Sequence, residues 1–231
     1  MQRIVHLPIY GPIDHGPERD LAWDLFQTDS SARLRDISLS SVPSNFSPHG
    51  MPASRFQHSA AVSHLAYLAG RYLELDRETR DQLVAAAILH DAGSPPFSHI
   101  SEGFMHDLLG RHHEAEVARV LEEDQSVVYA LDKHQVDAQA VLSAILGKHP
   151  RLGGLLAGSI DLDNIDNSLH LLHSLTGIHP LPYNPEKMIE AFCWDGNQLA
   201  LHSDYLAGVL AWEDTRKQLY QVLYQPVNLS A

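Results

Sequence analysis

Among the chain's 16 histidines and 29 acidic residues, four stand where they could hold one divalent metal ion: His58, the adjacent pair His90-Asp91, and Asp163. Such an ion takes imidazole and carboxylate ligands on rigid elements and keeps a coordination position open to water. Neighbouring side chains on a regular helix point about 100° apart. His90 and Asp91 can therefore share one ion only from a helix end or a widened turn. Gly93 and Pro95-Pro96 provide that end. The pair needs partners from elsewhere in the chain. His58 falls on an apolar stripe one turn before Val62, and Asp163 opens a later helix. On that helix Asp163, Asp166, Asn167 and His170 stand at i, i+3, i+4 and i+7, a polar stripe on one face. Plainer roles exist for each residue. The doublet can end a helix without an ion, and His58 can be a core histidine bonded to backbone. Asp161 can cap the helix, and Asp166 can answer a backbone donor or an arginine.

The elements that must position these residues are mostly helical. Residues 1–50 are rich in Pro, Gly and Ser and read as loop, short strand and one helix near 20–26. From about Ala53 the apolar spacing turns helical, through Ala61, Val62, Leu65, Leu68, Ala69 and Tyr72. A second helix is expected over 76–92, a third over 113–122, a fourth over 136–146 and a fifth over 160–175, the last ended by Gly177. Gly147, Pro150 and Gly153-Gly154 break the chain between the fourth and fifth. A helix near 185–192, a hairpin turn at Trp194-Asp195-Gly196-Asn197 and a final amphipathic helix over 203–224 complete the reading. The expected architecture is all-α: one domain over 1–231, with the N-terminal segment 1–50 packed on it and a helical extension with a small hairpin from about 180.

Bulk properties set limits. The chain has 231 residues, enough for one substantial core, with 44% apolar and 19% charged residues, as in ordinary globular proteins. There is no apolar run of about 18 residues, so no membrane span is expected. Pro8 and Gly11 come too early for a signal-peptide apolar region, which points to the cytoplasm. The single cysteine, Cys193, rules out an intrachain disulfide and a thiolate zinc cage, so metal must be held by His and carboxylate. Sixteen basic against 29 acidic residues give a net charge of −13. Extended nucleic acid is a poor partner for such a chain. A small phosphate ester beside a metal is not excluded, because there the cation dominates the local field.

The ordered set His58, His90-Asp91, Asp163 resembles the HD superfamily. The segments around it resemble the dNTP triphosphohydrolase-like branch: Ser54 to Ser59, Leu89 to His99, Ile160 to Asp166 with Thr176-Gly177 after it, and Arg216 to Tyr224. The resemblance covers about residues 4–226. It implies an all-α HD-type helical bundle and metal-assisted phosphoester hydrolysis of a small substrate, a nucleotide above all. His58, His90, Asp91 and Asp163 would be the ligands of one divalent ion (Mn, Mg, Fe, Zn, Co or Ni). Arg55 would reach a substrate phosphate. His113 falls where the family often has a histidine near the scissile phosphate. Glu102 falls where an acidic residue orients the catalytic histidine. A second metal, held with extra histidines such as His134 or His149, is an alternative, as is a homo-oligomer.

Five positions depart from that branch, among them Leu171, which stands where it has an aspartate. Ser94 stands where it has a catalytic histidine. Asn164, Asn167 and His170 stand where it has a basic residue, a tyrosine and an arginine that hold substrate. These departures make a catalytically altered HD module that binds a nucleotide or partner the alternative function, with a di-iron oxygenase behind it.

Overall fold

The computed structural model describes residues 3–39, 53–96, 113–177 and 180–224. It begins with a small antiparallel hairpin, β1 (Val5–Leu7) and β2 (Gly11–Ile13), in which Val5 lies opposite Ile13. The turn between them carries Tyr10, and Gly11 takes φ +70°, the left-handed region that favours glycine. Next come α1 (Arg19–Phe26), where a helix over 20–26 is expected, and a one-turn helix α2 (Asp29–Arg33).

Two helices form the frame of the site. α3 (Arg55–Tyr72) starts with a reciprocal cap: Ser54 Oγ accepts from the Gln57 amide and Gln57 Oε1 accepts from the Ser54 amide. α4 (Arg77–Leu89) starts on Asp76, whose carboxylate accepts from the Thr79 amide. From Gln82 to Leu89 every residue of α4 is buried, because α3 and α1 cover it together with a later helix. A segment apolar on all sides has no solvent face and becomes the centre of the core. The expected helix over 76–92 stops short. Leu89 is its last residue, His90 is the C-cap, and the Ala92 amide donates to Leu89 O while the Ser94 amide donates to Asp91 O. The doublet thus lies on a turn just outside the regular helix.

Beyond it lie α5 (His113–Glu123), α6 (Gln125–His134), α7 (Ala138–Ile145), the single turn α8 (Gly153–Leu156) and α9 (Leu162–Thr176). α7 is the third cover of α4. α9 begins on Asp161, whose Oδ1 accepts from the Asn164 amide, and ends on Gly177 at φ +62°. It packs on α3 and so brings Asp163 to His58. The expected helix over 185–192 is shorter, α10 (Pro185–Ile189), because Phe192 enters a strand. β3 (Phe192–Asp195) and β4 (Gln198–Leu201) form the expected hairpin around Gly196. A 3-10 turn over Ser203–Tyr205 leads into α11 (Leu206–Tyr224).

A continuous apolar core runs from Leu7 through α3, α4 and α9 to Trp212 on α11. Among the described residues, no helix is long and apolar enough to cross a membrane. The described chain is thus all-α with two small hairpins, as its sequence pattern implies.

Candidate metal centre

Three elements bring ligand types to one point. His58 projects from the first turns of α3, His90 from the end of α4 and Asp163 from the first turn of α9. His58 Nε2 lies 2.9 Å from Asp163 Oδ1 and 3.3 Å from His90 Nε2. One ligand atom from each residue falls within 4.8 Å of the others, a spacing that a single ion can span.

Each imidazole is set from behind. His90 Nδ1 lies 2.8 Å from Ala87 O. A carbonyl only accepts, so Nδ1 carries the proton and Nε2 presents its lone pair. His58 Nδ1 lies 2.6 Å from Asp166 Oδ2, on a carboxylate with no solvent exposure. A carboxylate behind a ligating histidine fixes its tautomer and ring orientation. Both Nε2 atoms therefore face one point next to the Asp163 carboxylate. Two lone pairs 3.3 Å apart repel unless a cation stands between or beside them. Burial works against charge on His58, but the carboxylates of Asp163 and Asp166 outweigh it and lift its pKa to about 10. The cluster thus takes up a proton when nothing else supplies positive charge. That behaviour and the donor set fit a divalent ion.

Asp91, expected from the sequence as a fourth ligand, stands beside this group but is not one of the three residues whose ligand atoms all lie within 4.8 Å of one another. Its Oδ1 accepts from Arg55 at 2.5 Å and from Ser94 Oγ at 3.2 Å. Its Oδ2 is buried without a hydrogen-bond partner, 3.7 Å from His90 Nε2. An unanswered buried carboxylate oxygen is costly, and here it lies beside the ligand cluster. Burial opposes its charge, while His90 and Arg55 hold its pKa far below the usual carboxylate range. The turn that carries it is pinned by Arg33, which donates to Ala92 O and Ser94 O, each at 2.8 Å.

The cluster lines a cleft of about 400 Å³. Its lining is mixed: Arg55, Ser94, Asp161 and Asn167 are polar, and Ile145, Leu146 and Leu156 are apolar. Burial raises the pKa of Asp161 to about 7.

The sequence candidates divide as follows. His58, His90, Asp91, Asp163, Arg55 and Asn167 meet at the cleft. Asn164 does not line it; its carbonyl accepts from Ser168 and Trp212. His170 is buried behind the cluster, its Nδ1 2.7 Å from Asp166 Oδ2. His58, Asp166 and His170 also lie close enough for an ion, but both Nδ1 atoms address the same Asp166 oxygen at hydrogen-bond distance. His134 pairs with Asp24 at 2.7 Å, and His149 Nδ1 accepts from the amides of Arg151 and Leu152, both away from the cleft. His113 begins α5, and its side chain lies outside the described residues, as does Glu102. Asp166 is a rival ligand by sequence, but in the structure it holds His58. The residue that sequence reasoning misses is Tyr10, whose hydroxyl donates to Asp166 Oδ1 at 2.6 Å.

Comparison with known proteins gives the family. The HD domain family model matches residues 55–172, from the first residue of α3 into α9. The chain belongs to the HD domain family. The chain is 29% identical to the uncharacterized protein YwfO of Bacillus subtilis over 222 residues, which covers 91% of this chain and 49% of that one. It is also 29% identical to a deoxynucleoside triphosphate triphosphohydrolase SAMHD1 homolog of Dictyostelium discoideum, over 71% of this chain and 35% of that protein. A crystal structure of a phosphohydrolase from Bacteroides thetaiotaomicron superposes with a TM-score of 0.76 at 21% identity, over 95% of this chain and 54% of that one. This HD chain spans half or less of the length of those two curated relatives. At this identity the structural match shows a shared fold.

Proposed function

We propose that this HD protein is a metal-dependent phosphohydrolase acting on a small phosphate ester, a nucleotide in the first instance. One observation carries the reading. Two imidazole Nε2 atoms face each other at 3.3 Å beside the Asp163 carboxylate, each ring braced from behind, in the lining of an open cleft. His58, His90 and Asp163 would hold the ion, with Asp91 Oδ2 at its side. A bound divalent ion lowers the pKa of its water and offsets charge on phosphoryl oxygens. The remaining work belongs to the chain. Asp166 and Ala87 O keep both Nε2 atoms aimed forward. Arg55 holds Asp91 in place and brings a forked cation to the same cleft, suited to phosphate oxygens. Ile145, Leu146 and Leu156 offer apolar lining to the organic part of the substrate, and Asn167 offers an amide.

The triphosphohydrolase name belongs to the Dictyostelium relative. The asparagines at 164 and 167 and the buried His170 argue for a different substrate grip here. The test is a panel of nucleoside mono-, di- and triphosphates with Mn²⁺, Mg²⁺, Fe²⁺, Zn²⁺, Co²⁺ or Ni²⁺, products identified by phosphorus NMR. The proposal expects release of phosphate, pyrophosphate or triphosphate from at least one nucleotide. Metal-filled protein that turns over no phosphorylated compound contradicts it. Ser94, whose hydroxyl is taken up by Asp91 rather than presenting an imidazole, favours a second reading: nucleotide binding without hydrolysis. Tight binding on the same panel with no product would select that reading.

A further inference from the structure

Asp166 is the most enclosed charged side chain at the centre, with no solvent exposure, and it lies behind the ligand shell. Three donors reach it: His58 Nδ1 and His170 Nδ1 on Oδ2, and the Tyr10 hydroxyl on Oδ1 at 2.6 Å. Tyr10 comes from 156 residues earlier in the chain, on the turn of the N-terminal hairpin. Its ring is wedged edge-on against His64 at 5.8 Å and stacks over His170 at 6.3 Å. β1 packs on α3, so the hairpin is seated on the helix that carries His58. The tyrosine thus bridges α3 and α9, the two helices that supply His58 and Asp163.

A carboxylate that accepts on both oxygens cannot rotate without losing a buried hydrogen bond, which costs about 1–3 kcal/mol. With Oδ1 unanswered, the Asp166 carboxyl has freedom to turn, and Oδ2 loses its fixed aim at His58 Nδ1. We infer that Tyr10 is a positioning residue of the metal centre: through Asp166 it fixes the tautomer and direction of His58, so the N-terminal hairpin is a working part of the site. The inference rests on the metal-centre reading above. It adds a residue far from the HD pattern in sequence and outside residues 55–172 that the family model matches.

Tyr10→Phe is the test, because it removes one oxygen and keeps the ring between His64 and His170. Tyr183→Phe is its control. The Tyr183 hydroxyl is also buried and donates at 2.6 Å to the same helix, but to Ile165 O rather than to the cluster. The readout is Co²⁺ affinity of the full chain, by competition with a chromogenic chelator, together with the visible Co²⁺ spectrum and the apo-protein Tm. Partners behind metal ligands typically change metal affinity about 10- to 100-fold. Tyr10→Phe is expected to weaken Co²⁺ binding by about that factor and to shift the spectrum, while Tyr183→Phe lowers Tm and leaves affinity unchanged. Wild-type affinity in Tyr10→Phe overturns the inference and spares the metal centre. An equal loss of affinity in both variants also overturns it, since it marks a merely structural role. A wild-type chain that binds no Co²⁺ overturns the metal reading and this inference together.

Discussion

Two aspartates three residues apart on α9 do different work. Asp163 is about a third exposed at its side chain and faces His58 Nε2 and the cleft. Asp166 is sealed and braces His58 from behind. Asp163→Asn is expected to lose metal with little change in unfolding free energy. Asp166→Asn replaces an acceptor pair with one acceptor and one amine among three donors, so it should cost about 1–3 kcal/mol in urea unfolding as well as metal affinity. Equal stabilities for the two variants would contradict this division. The meeting of His58, His90 and Asp163 was legible in the sequence through the resemblance to the ordered HD pattern, which also favoured Asp163 over Asp161 and Asp166. Tyr10 was not: nothing local marks a tyrosine in a Pro- and Gly-rich segment, and its partner lies on a helix 156 residues away.

Helix boundaries set the geometry of the doublet. α4 ends at Leu89, which frees His90 and Asp91 from the spacing of a regular helix. Gly93 and the prolines announced that end, and Gly177 announced the end of α9, because both are local signals. α6 and α8 were not expected from the sequence. Gly153-Gly154 read as a break, yet a turn of helix forms there. A Cβ on Gly153 would meet Gly147 O at 2.5 Å, so glycine serves a close backbone approach. The start of α3 matters most at this scale, since its first turns carry Arg55 and His58. Ser54→Ala removes one half of the reciprocal cap and should cost about 1 kcal/mol in urea unfolding. No measurable loss would mean the cap contributes nothing to holding that turn.

At the scale of the molecule, the all-helical class followed from apolar periodicity, whereas the docking of the N-terminal hairpin on α3 depends on contacts that no local pattern encodes. Just after that hairpin His15 is buried against Phe26 and Tyr67, its Nε2 2.9 Å from Ser63 Oγ. Burial, with His64 nearby, pushes its pKa down to about 3 from an ordinary 6.5. Below pH 6.5 the unfolded chain takes up a proton there that the folded chain refuses, so stability falls as pH falls from 6.5 toward 3. The slope from one such group reaches about 1.4 kcal/mol per pH unit. His15→Gln should flatten the loss of urea stability between pH 6 and 5 relative to wild type. Identical slopes would show that His15 does not titrate differently on folding.

The central claim is that His58, His90 and Asp163, with Asp91, hold one divalent ion. Its most direct test is metal content per chain by plasma mass spectrometry, after the apo protein is incubated with the six candidate divalent ions and excess metal is removed. The account predicts about one ion per wild-type chain and a near-complete loss in His90→Ala, with the helical circular dichroism of both proteins alike. A wild-type chain that retains no metal, or a His90→Ala chain that retains as much as wild type, would contradict it.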